Sequence, residues 1–362
     1  MGKSKKRVLI VGTGTIGEPL IDLFADQAKN IGIDEVLFHK RSPLREEAGK
    51  VRALLKTGAK LVVDEDKKEK FLELGLESSM AWKEALAAAD VIIDCTPEGK
   101  KLKEKYYQKL SKPKGFIAQG SEEGFGIPYA WTINDEALVP DVTKFIQVVS
   151  CNTHQIVCPL FSLVLKPSGI ENLKYGHFTV VRRASDISED EGILGVEAEA
   201  VNQKYFPYGS HQAYDAARVI KTIFPSKIIS VPIFSQVIKA PTQYMHTMLF
   251  DIEIKEPTHY REAWARLKTN PLVVFTHFKT TNRILDRARN TSAIRGRILN
   301  QTVFFEESLN VSADGKRIRG TCFTPQDGNA LLSSIAATLW LLDPKTYREK
   351  MQVFDKFLFE EI

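Results

Sequence analysis

Two clusters in this chain carry the residue types and spacing that chemistry needs. The first is Gly12-Thr-Gly-Thr-Ile-Gly17, which follows the apolar run Arg7-Val-Leu-Ile-Val11 and opens an amphipathic segment. Glycines at this spacing between a strand and a helix form a cradle for a dinucleotide pyrophosphate. Gly12 permits the tight turn, Gly14 lets backbone approach the phosphates, and Gly17 lets the helix pack close to the sheet. The helix N-terminus adds N–H groups and a positive dipole end. The second cluster is Ser150-Cys-Asn-Thr153, where the strand-like run Phe145–Val149 meets a helical segment. A thiol at such a junction sits at the positive end of a helix dipole, which favours the thiolate. Backbone N–H groups beside the sulfur can hold the oxyanion of a tetrahedral intermediate. A lone cysteine is more often a core residue, but a thiolate together with a nicotinamide is a route to aldehyde oxidation, and the upstream glycines tip the reading to a nucleophile.

The type of dinucleotide is read at the end of the second strand. An NAD site places a carboxylate there to bind the ribose 2′-hydroxyl. This chain has Phe38-His-Lys40-Arg41-Ser42-Pro43, with two cations and no acid. Lys40, Arg41 and Ser42 suit a 2′-phosphate through charge-assisted hydrogen bonds, so NADP is expected, with NAD as the second choice. The thiol also needs a base within hydrogen-bond reach. Of seven histidines, His39 belongs to the second strand, His177 lies in a strand and His277 in an apolar run, both reading as packing residues, and His259 follows Pro257 on a loop. His154, His211 and His246 stay open.

The elements that must position these groups follow from period and punctuation. Glu35–His39, Asp90–Asp94, Gly115–Ala118 and Phe145–Val149 are short apolar runs alternating with helical segments, the pattern of a parallel sheet buried on both faces. Beyond residue 150, Tyr175–Arg182, Ile228–Ile233, Met248–Ile254 and Gln301–Phe305 are alternating strands with fewer helices between them, which suits an antiparallel sheet. Ala330–Leu342 and Thr346–Leu358 are helical by period. The fold class expected is α/β: an N-terminal Rossmann-type parallel sheet over 1–150, completed by C-terminal helices from 326–362, and a catalytic α+β domain with a mainly antiparallel sheet over 151–325.

Bulk properties narrow the class further. With 362 residues, 43% hydrophobic and 26% charged, the chain has the makings of a soluble two-domain protein. No run reaches the roughly 18 apolar residues of a membrane span. The basic lead-in before residue 8 has too short an apolar stretch behind it for a signal peptide. Cys95, Cys151, Cys158 and Cys322 show no metal-site spacing and no disulfide framework. No metal is expected, and a reducing, cytoplasmic location is. Lys100, Lys101, Lys103 and Lys105 lack interleaved aromatics and read as a solvated helix face, so nucleic acid is not an expected partner.

Taken together, the motifs resemble those of the archaeal type of glyceraldehyde-3-phosphate dehydrogenase, nearly end to end. Gly12–Gly17 is similar to the family's GxGTIG, Lys40-Arg-Ser-Pro43 to K-T-S-P, and Asp94-Cys-Thr-Pro-Glu-Gly99 to D-x-T-P-x-G. Val148-Val-Ser-Cys-Asn-Thr153 resembles V-V-S-C-N-T-T, Val181-Arg-Arg-Ala-Ser-Asp186 resembles V-R-R-A-x-D, and Ala240-Pro-Thr-Gln-Tyr-Met-His246 resembles A-P-T-T-L-M-H. The resemblance implies Cys151 as nucleophile and His246 as base. It implies Thr15, Ile16, Ser121, Arg183 and Gln326 as dinucleotide contacts. Ser150, Asn152, Thr153, His154, His211 and Gln212 are implied around a phosphorylated aldehyde and inorganic phosphate. A homotetramer is implied by likeness alone.

Three departures surround the substrate: His154 replaces the second threonine after the nucleophile, His211-Gln212 replaces a histidine pair, and Pro159 interrupts the helix that Cys151 begins. A histidine at 154 binds an anion only when protonated or through its N–H. Two rival readings therefore stand beside glyceraldehyde 3-phosphate oxidation: a sister dehydrogenase acting on another aldehyde, and an NADP-binding sensor that has lost catalysis.

Overall fold

The computed structural model describes residues 5–183, 195–225, 229–242, 244–291, 294 and 296–362. The chain divides into two compact units. One comprises Met1–Ile127, Leu138–Val148 and Leu331–Lys356, the other Pro128–Ala137, Val149–Ala330 and Phe357–Ile362.

The strands of the first sheet are β1 (Arg7–Val11), β2 (Glu35–His39), β3 (Lys60–Val63), β4 (Met80–Ala81), β5 (Val91–Asp94), β6 (Gly115–Gln119), β7 (Ile127–Tyr129) and β8 (Phe145–Val148). They form one sheet in the order β4-β3-β2-β1-β5-β6-β8-β7, and every pairing from β4 to β8 is parallel. Val8 to Val11 are all buried, as expected of a strand with helices on both faces. The crossover helix Gly17–Ile31 buries Leu20, Ile21, Phe24 and Ile31. It stops at Gly32, whose left-handed φ of 73° lets its N–H reach the last carbonyls. From β1 the chain winds outward through β2, β3 and β4, then returns to β5 on the other side of β1. The strand order therefore reverses between β1 and β5, the place where open α/β sheets bind ligands.

The helix Leu331–Leu342 also belongs to the first unit, and every one of its residues is buried. Apolar on all sides, it has no solvent face to keep. It packs closely enough that a Cβ on Gly115 of β6 would come within 2.4 Å of Leu341 Cδ2. The tail expected as one helix over 346–358 is instead a short α-helix, Tyr347–Met351, followed by 3₁₀ turns over Gln352–Phe357.

The second unit carries β9 (Leu173–Arg183), β10 (Glu197–Ala198), β11 (Ile233–Ala240), β12 (His246–Ile254), β13 (Val273–Thr276), β14 (Thr302–Phe305), β15 (Asn310–Val311) and β16 (Arg317–Thr324). The sheet order is β10-β11-β9-β12-β16-β14-β13, with β15 beside β16. β12 is antiparallel to both neighbours, while β11 with β9 and β13 with β14 are parallel, so the sheet is mixed and mostly antiparallel. Along β12 the buried residues His246, Met248, Phe250, Ile252 and Ile254 alternate with less buried ones, the signature of a sheet covered on one face. The strand expected at 228–233 begins only at Ile233, and Ile228 lies outside the described residues, as do Ala184, Ser185, Asp186 and Gln243 of the motifs above.

Pro159 acts on the helix Cys151–Leu160 as its chemistry requires. It has no N–H to offer the carbonyl one turn back. Regular α-helix ends at Leu160 and continues as a π-helical turn, Phe161–Leu165. Ser162 Oγ takes up the Cys158 carbonyl at 2.9 Å. Among the described residues no helix is long and apolar enough to cross a membrane. The basic run is less solvated than expected: Lys103 lies over the Phe145 ring, 4.5 Å from its centroid, and donates to the Gly124 carbonyl.

Candidate active site

In the first unit the glycine motif makes a turn that glycine alone fits. Gly12 has φ +94°, and its N–H donates to the His39 carbonyl at 3.1 Å. A Cβ on Gly17 would lie 2.1 Å from the Gly12 carbonyl oxygen, whereas a Cβ on Gly14 would meet nothing within 4 Å. Gly17 is thus required by the protein's own packing, and Gly14 faces open space that a bound pyrophosphate would fill. Gly17→Ala should lower the melting temperature by several degrees and abolish nucleotide binding. Gly14→Ala should leave melting almost unchanged yet weaken binding by about tenfold or more. Thermal melts with and without NADP separate the two cases. Thr15 and Ile16 lead into the helix. Ser121, exposed, follows Gly120 (φ +76°) beyond the end of β6. These groups all lie at the carboxyl ends of parallel strands.

The turn after β5 closes the other side of the crevice. Asp94 is fully buried, and its carboxylate accepts from Thr96 N–H at 2.9 Å, Thr96 Oγ at 2.7 Å and Tyr107 Oη at 2.7 Å. Burial nonetheless holds its pKa above the usual carboxylate range. Between this turn and β2 lies a cavity of about 580 Å³, with Trp82, Pro97, Leu102 and Tyr106 as apolar walls and His39, Asp64, Arg41, Glu98 and Lys105 as polar ones. Flat apolar walls with a polar rim beside Gly12 suit the adenosine end of a dinucleotide. Of the three residues expected at a 2′-phosphate, only Arg41 lines the cavity. Lys40 is turned to Glu47 and Ser42 stands outside the lining. His39 is part of this wall, tilted against Trp82 with ring centroids 4.3 Å apart and bonded to Asp64 at 3.3 Å.

In the second unit Cys151, half-buried, is the first residue of its helix. Ser150 caps that helix: its side chain accepts from Thr153 N–H at 3.3 Å and shares a 2.9 Å bond with Thr153 Oγ1. Asn329 fixes the start from another direction, its amide donating to the carbonyls of Cys151 and Gln301, both at 3.0 Å. Asn152 is buried and its Oδ1 has no hydrogen-bond partner, a feature expected where a ligand completes the set. His154 is fully buried, with Nδ1 3.0 Å from the Ser150 carbonyl. Burial pulls its pKa down to about 4, so it brings no positive charge to an anion.

The Cys151 helix packs on β12 and β16 of the mixed sheet. Arg183 closes β9, His246 opens β12 and Thr324 closes β16. Antiparallel pairing brings the three together, with His246 opposite Thr324 and Thr247 opposite Val181. The Cys151 helix is tied to this end one turn in, where Thr324 Oγ1 donates to Gln155 Oε1. His246 is buried, and its Nδ1 accepts the Arg183 backbone N–H at 3.1 Å. Burial, with Arg183 and Arg182 nearby, lowers its pKa to about 3. Arg183 and Gln326 line one cavity of about 280 Å³ with Arg289 and Arg297.

His211 and Gln212 begin the helix His211–Ile223, which packs on the Cys151 helix. Burial and Arg182 hold the His211 pKa below its ordinary value. Ser210 Oγ positions Gln212 by donating to its Oε1, leaving a buried Nε2 with no partner. The remaining histidines are structural in different ways. His259 caps the helix Tyr260–Lys268, and His277, expected to pack, is exposed and paired with Glu307 at 2.9 Å. Asn329 escaped sequence reading, while Arg182 and the Asp94–Thr96 turn fell within motifs quoted there without a role of their own. Only the prefix Pro325-Gln-Asp-Gly-Asn329 before a helix hinted that Asn329 sits in a turn.

The other three thiols are poor nucleophiles. Burial pushes Cys322 up to about 12 and raises Cys158 well above the ordinary thiol value; Cys95, half-buried like Cys151, is raised as well, by its low-dielectric surroundings and the Asp94 carboxylate beside it. Iodoacetamide at neutral pH should therefore label Cys151 alone within minutes, as peptide mapping would show. Equal labelling of the others would remove the distinction.

No protein-family model matches the chain. Among curated proteins it is 30% identical over 315 residues to the glyceraldehyde-3-phosphate dehydrogenase of Pyrobaculum arsenaticum, covering 85% of this chain and 84% of that one. The protein of the same name from Pyrobaculum islandicum is 30% identical over 71% of this chain and 68% of its own. That from Saccharolobus islandicus is 27% identical over 84% of each.

Proposed function

The chain belongs to the archaeal type of the glyceraldehyde-3-phosphate dehydrogenase family, and from that premise we propose that it is a phosphorylating aldehyde dehydrogenase using NADP, and NAD less well. The observation that carries this reading is the second unit's placement of a thiol at the start of a helix that is tied to the sheet end where the neutral imidazole of His246 lies. The coenzyme, when bound, supplies the acceptor for the aldehyde hydrogen. The first unit's glycine turn fits its pyrophosphate, and Arg41 fits a 2′-phosphate.

The chain's own residues then have separable tasks. The sulfur of Cys151 bonds to the aldehyde carbon, helped by the helix dipole. The oxygen of the resulting adduct is held by N–H groups at the start of the helix that Cys151 begins. His246 contributes a further donor. Because a backbone N–H points at its Nδ1, the neutral ring carries its proton on Nε2. We therefore give His246 the part of an Nε2–H donor to the developing alkoxide in place of the general base read from sequence. After oxidation the sulfur holds the acyl group as a thioester. Inorganic phosphate displaces it, the thiolate leaves, and an acyl phosphate is released.

Glyceraldehyde 3-phosphate is the substrate proposed, following the names of the relatives. The second reading, a different aldehyde, is favoured by His154, whose buried neutral ring stands where the resemblance expects a threonine. Steady-state rates for a panel of aldehydes, with each coenzyme and with and without phosphate, decide between them. A phosphate-independent enzyme, or one indifferent to the 3-phosphate, would sink the first reading.

A further inference from the structure

We propose that Glu98 is the residue that sets coenzyme choice, by competing with the 2′-phosphate for Arg41. The inference rests on the reading of the first unit as a dinucleotide site. Arg41 follows β2 and Glu98 follows β5, so the two reach toward each other from opposite sides of the reversal in strand order. Arg41 Nη1 lies 3.2 Å from Glu98 Oε2, and both line the cavity beside Gly12.

Glu98 is held there by a rigid turn. Its N–H donates to Thr96 Oγ1 at 3.2 Å, and Thr96 is in turn fixed by the buried Asp94 carboxylate. A Cβ on Gly12 would come within 3.1 Å of Thr96 Cγ2, so the turn abuts the glycine cradle itself. The carboxylate of Glu98 is free to change partners. Its side chain is 41% exposed, and its cations, Arg41 and Lys101 at 3.7 Å, are 70% and 81% exposed. The other acid on the rim is already committed, because Asp64 holds Lys67 at 2.9 Å and His39 at 3.3 Å.

Charge then gives the direction. A ribose 2′-hydroxyl can donate to Glu98 and leave the Arg41 pair in place. A 2′-phosphate must take Arg41 away and then face a carboxylate left with only the exposed Lys101 beside it. Arg41 favours NADP while Glu98 opposes it, and the balance admits both coenzymes.

The test is calorimetric titration of the full-length protein and its variants with NADP, NAD, 2′,5′-ADP and 5′-AMP. Glu98→Gln should raise the NADP-to-NAD affinity ratio by on the order of tenfold at low salt, with a smaller gain at high salt. The 2′,5′-ADP to 5′-AMP ratio should move in parallel, which confines the effect to the adenosine end. Arg41→Ala should lower the ratio, and adding Glu98→Gln to Arg41→Ala should recover only part of the gain. An unchanged ratio in Glu98→Gln, with both coenzymes still binding, would overturn the role of Glu98 and leave the dinucleotide site standing. Failure of the unmodified protein to bind any of the four nucleotides would overturn the site and the proposal with it.

Discussion

Cys151→Ser should reduce aldehyde oxidation by on the order of a thousandfold or more, while coenzyme binding and melting temperature stay near those of the unmodified protein. The helix dipole that stabilises a thiolate cannot do the same for an alcohol, whose ionisation lies far beyond physiological pH. The hydroxyl is also smaller and harder, so the thioester becomes an ordinary ester and its transfer to phosphate slows as well. Little structure is at stake, because Cys151 is half-buried at a helix start held by Ser150 and Asn329. Rapid-mixing measurement of reduced coenzyme gives the decisive quantity. A burst of near-normal size in the serine variant would falsify nucleophilic catalysis at this position.

His246→Asn should slow turnover by about a hundredfold, the usual consequence of losing one oxyanion donor or one acid–base group. The size alone does not tell the two roles apart; the pH dependence does. A histidine acting as a base with an ordinary pKa near 6.5 would give kcat/KM an acid limb there. In this fold the imidazole stays neutral down to about pH 3, so that limb should be missing and the rate should follow the thiol alone. His246→Gln can place an N–H near the lost Nε2–H and should retain more activity than His246→Ala. An acid limb near pH 6.5 that vanishes in His246→Gln would return the residue to the role of base. The same burial has a stability consequence. Below pH 6.5 the unfolded chain takes up protons at His246 and His154 that the fold refuses. Stability should therefore fall as pH drops from 6.5 through about 4 and toward 3, a loss that thermal melts would follow.

Much of the first unit is legible because its signals are local. Arg7–Val11, the glycines and Gly32 form strand, turn, helix and cap within 26 consecutive residues, so the backbone itself carries the pattern. The proposed nucleophile is legible for the same reason: a strand-like run, Cys151 and a helical segment adjoin one another in the chain. The choice among His154, His211 and His246 is not. It depends on the ends of β9, β12 and β16 lying side by side, and residue order contains no trace of that register. Likeness to a family supplied the choice that pattern alone left open.

Sequence by itself determined the cradle, the thiol at its helix start and the apolar periods that build both sheets, because each arises from neighbours bonded along the chain. Tertiary structure alone decided the tautomer of His246, the clamp of Asn329 on a carbonyl 178 positions away and the meeting of Arg41 with Glu98 across 57 positions. The physical reason is reach. A dipole or a glycine turn acts within a few bonds, whereas proton placement and ion pairing follow distance in space, which only the folded chain defines.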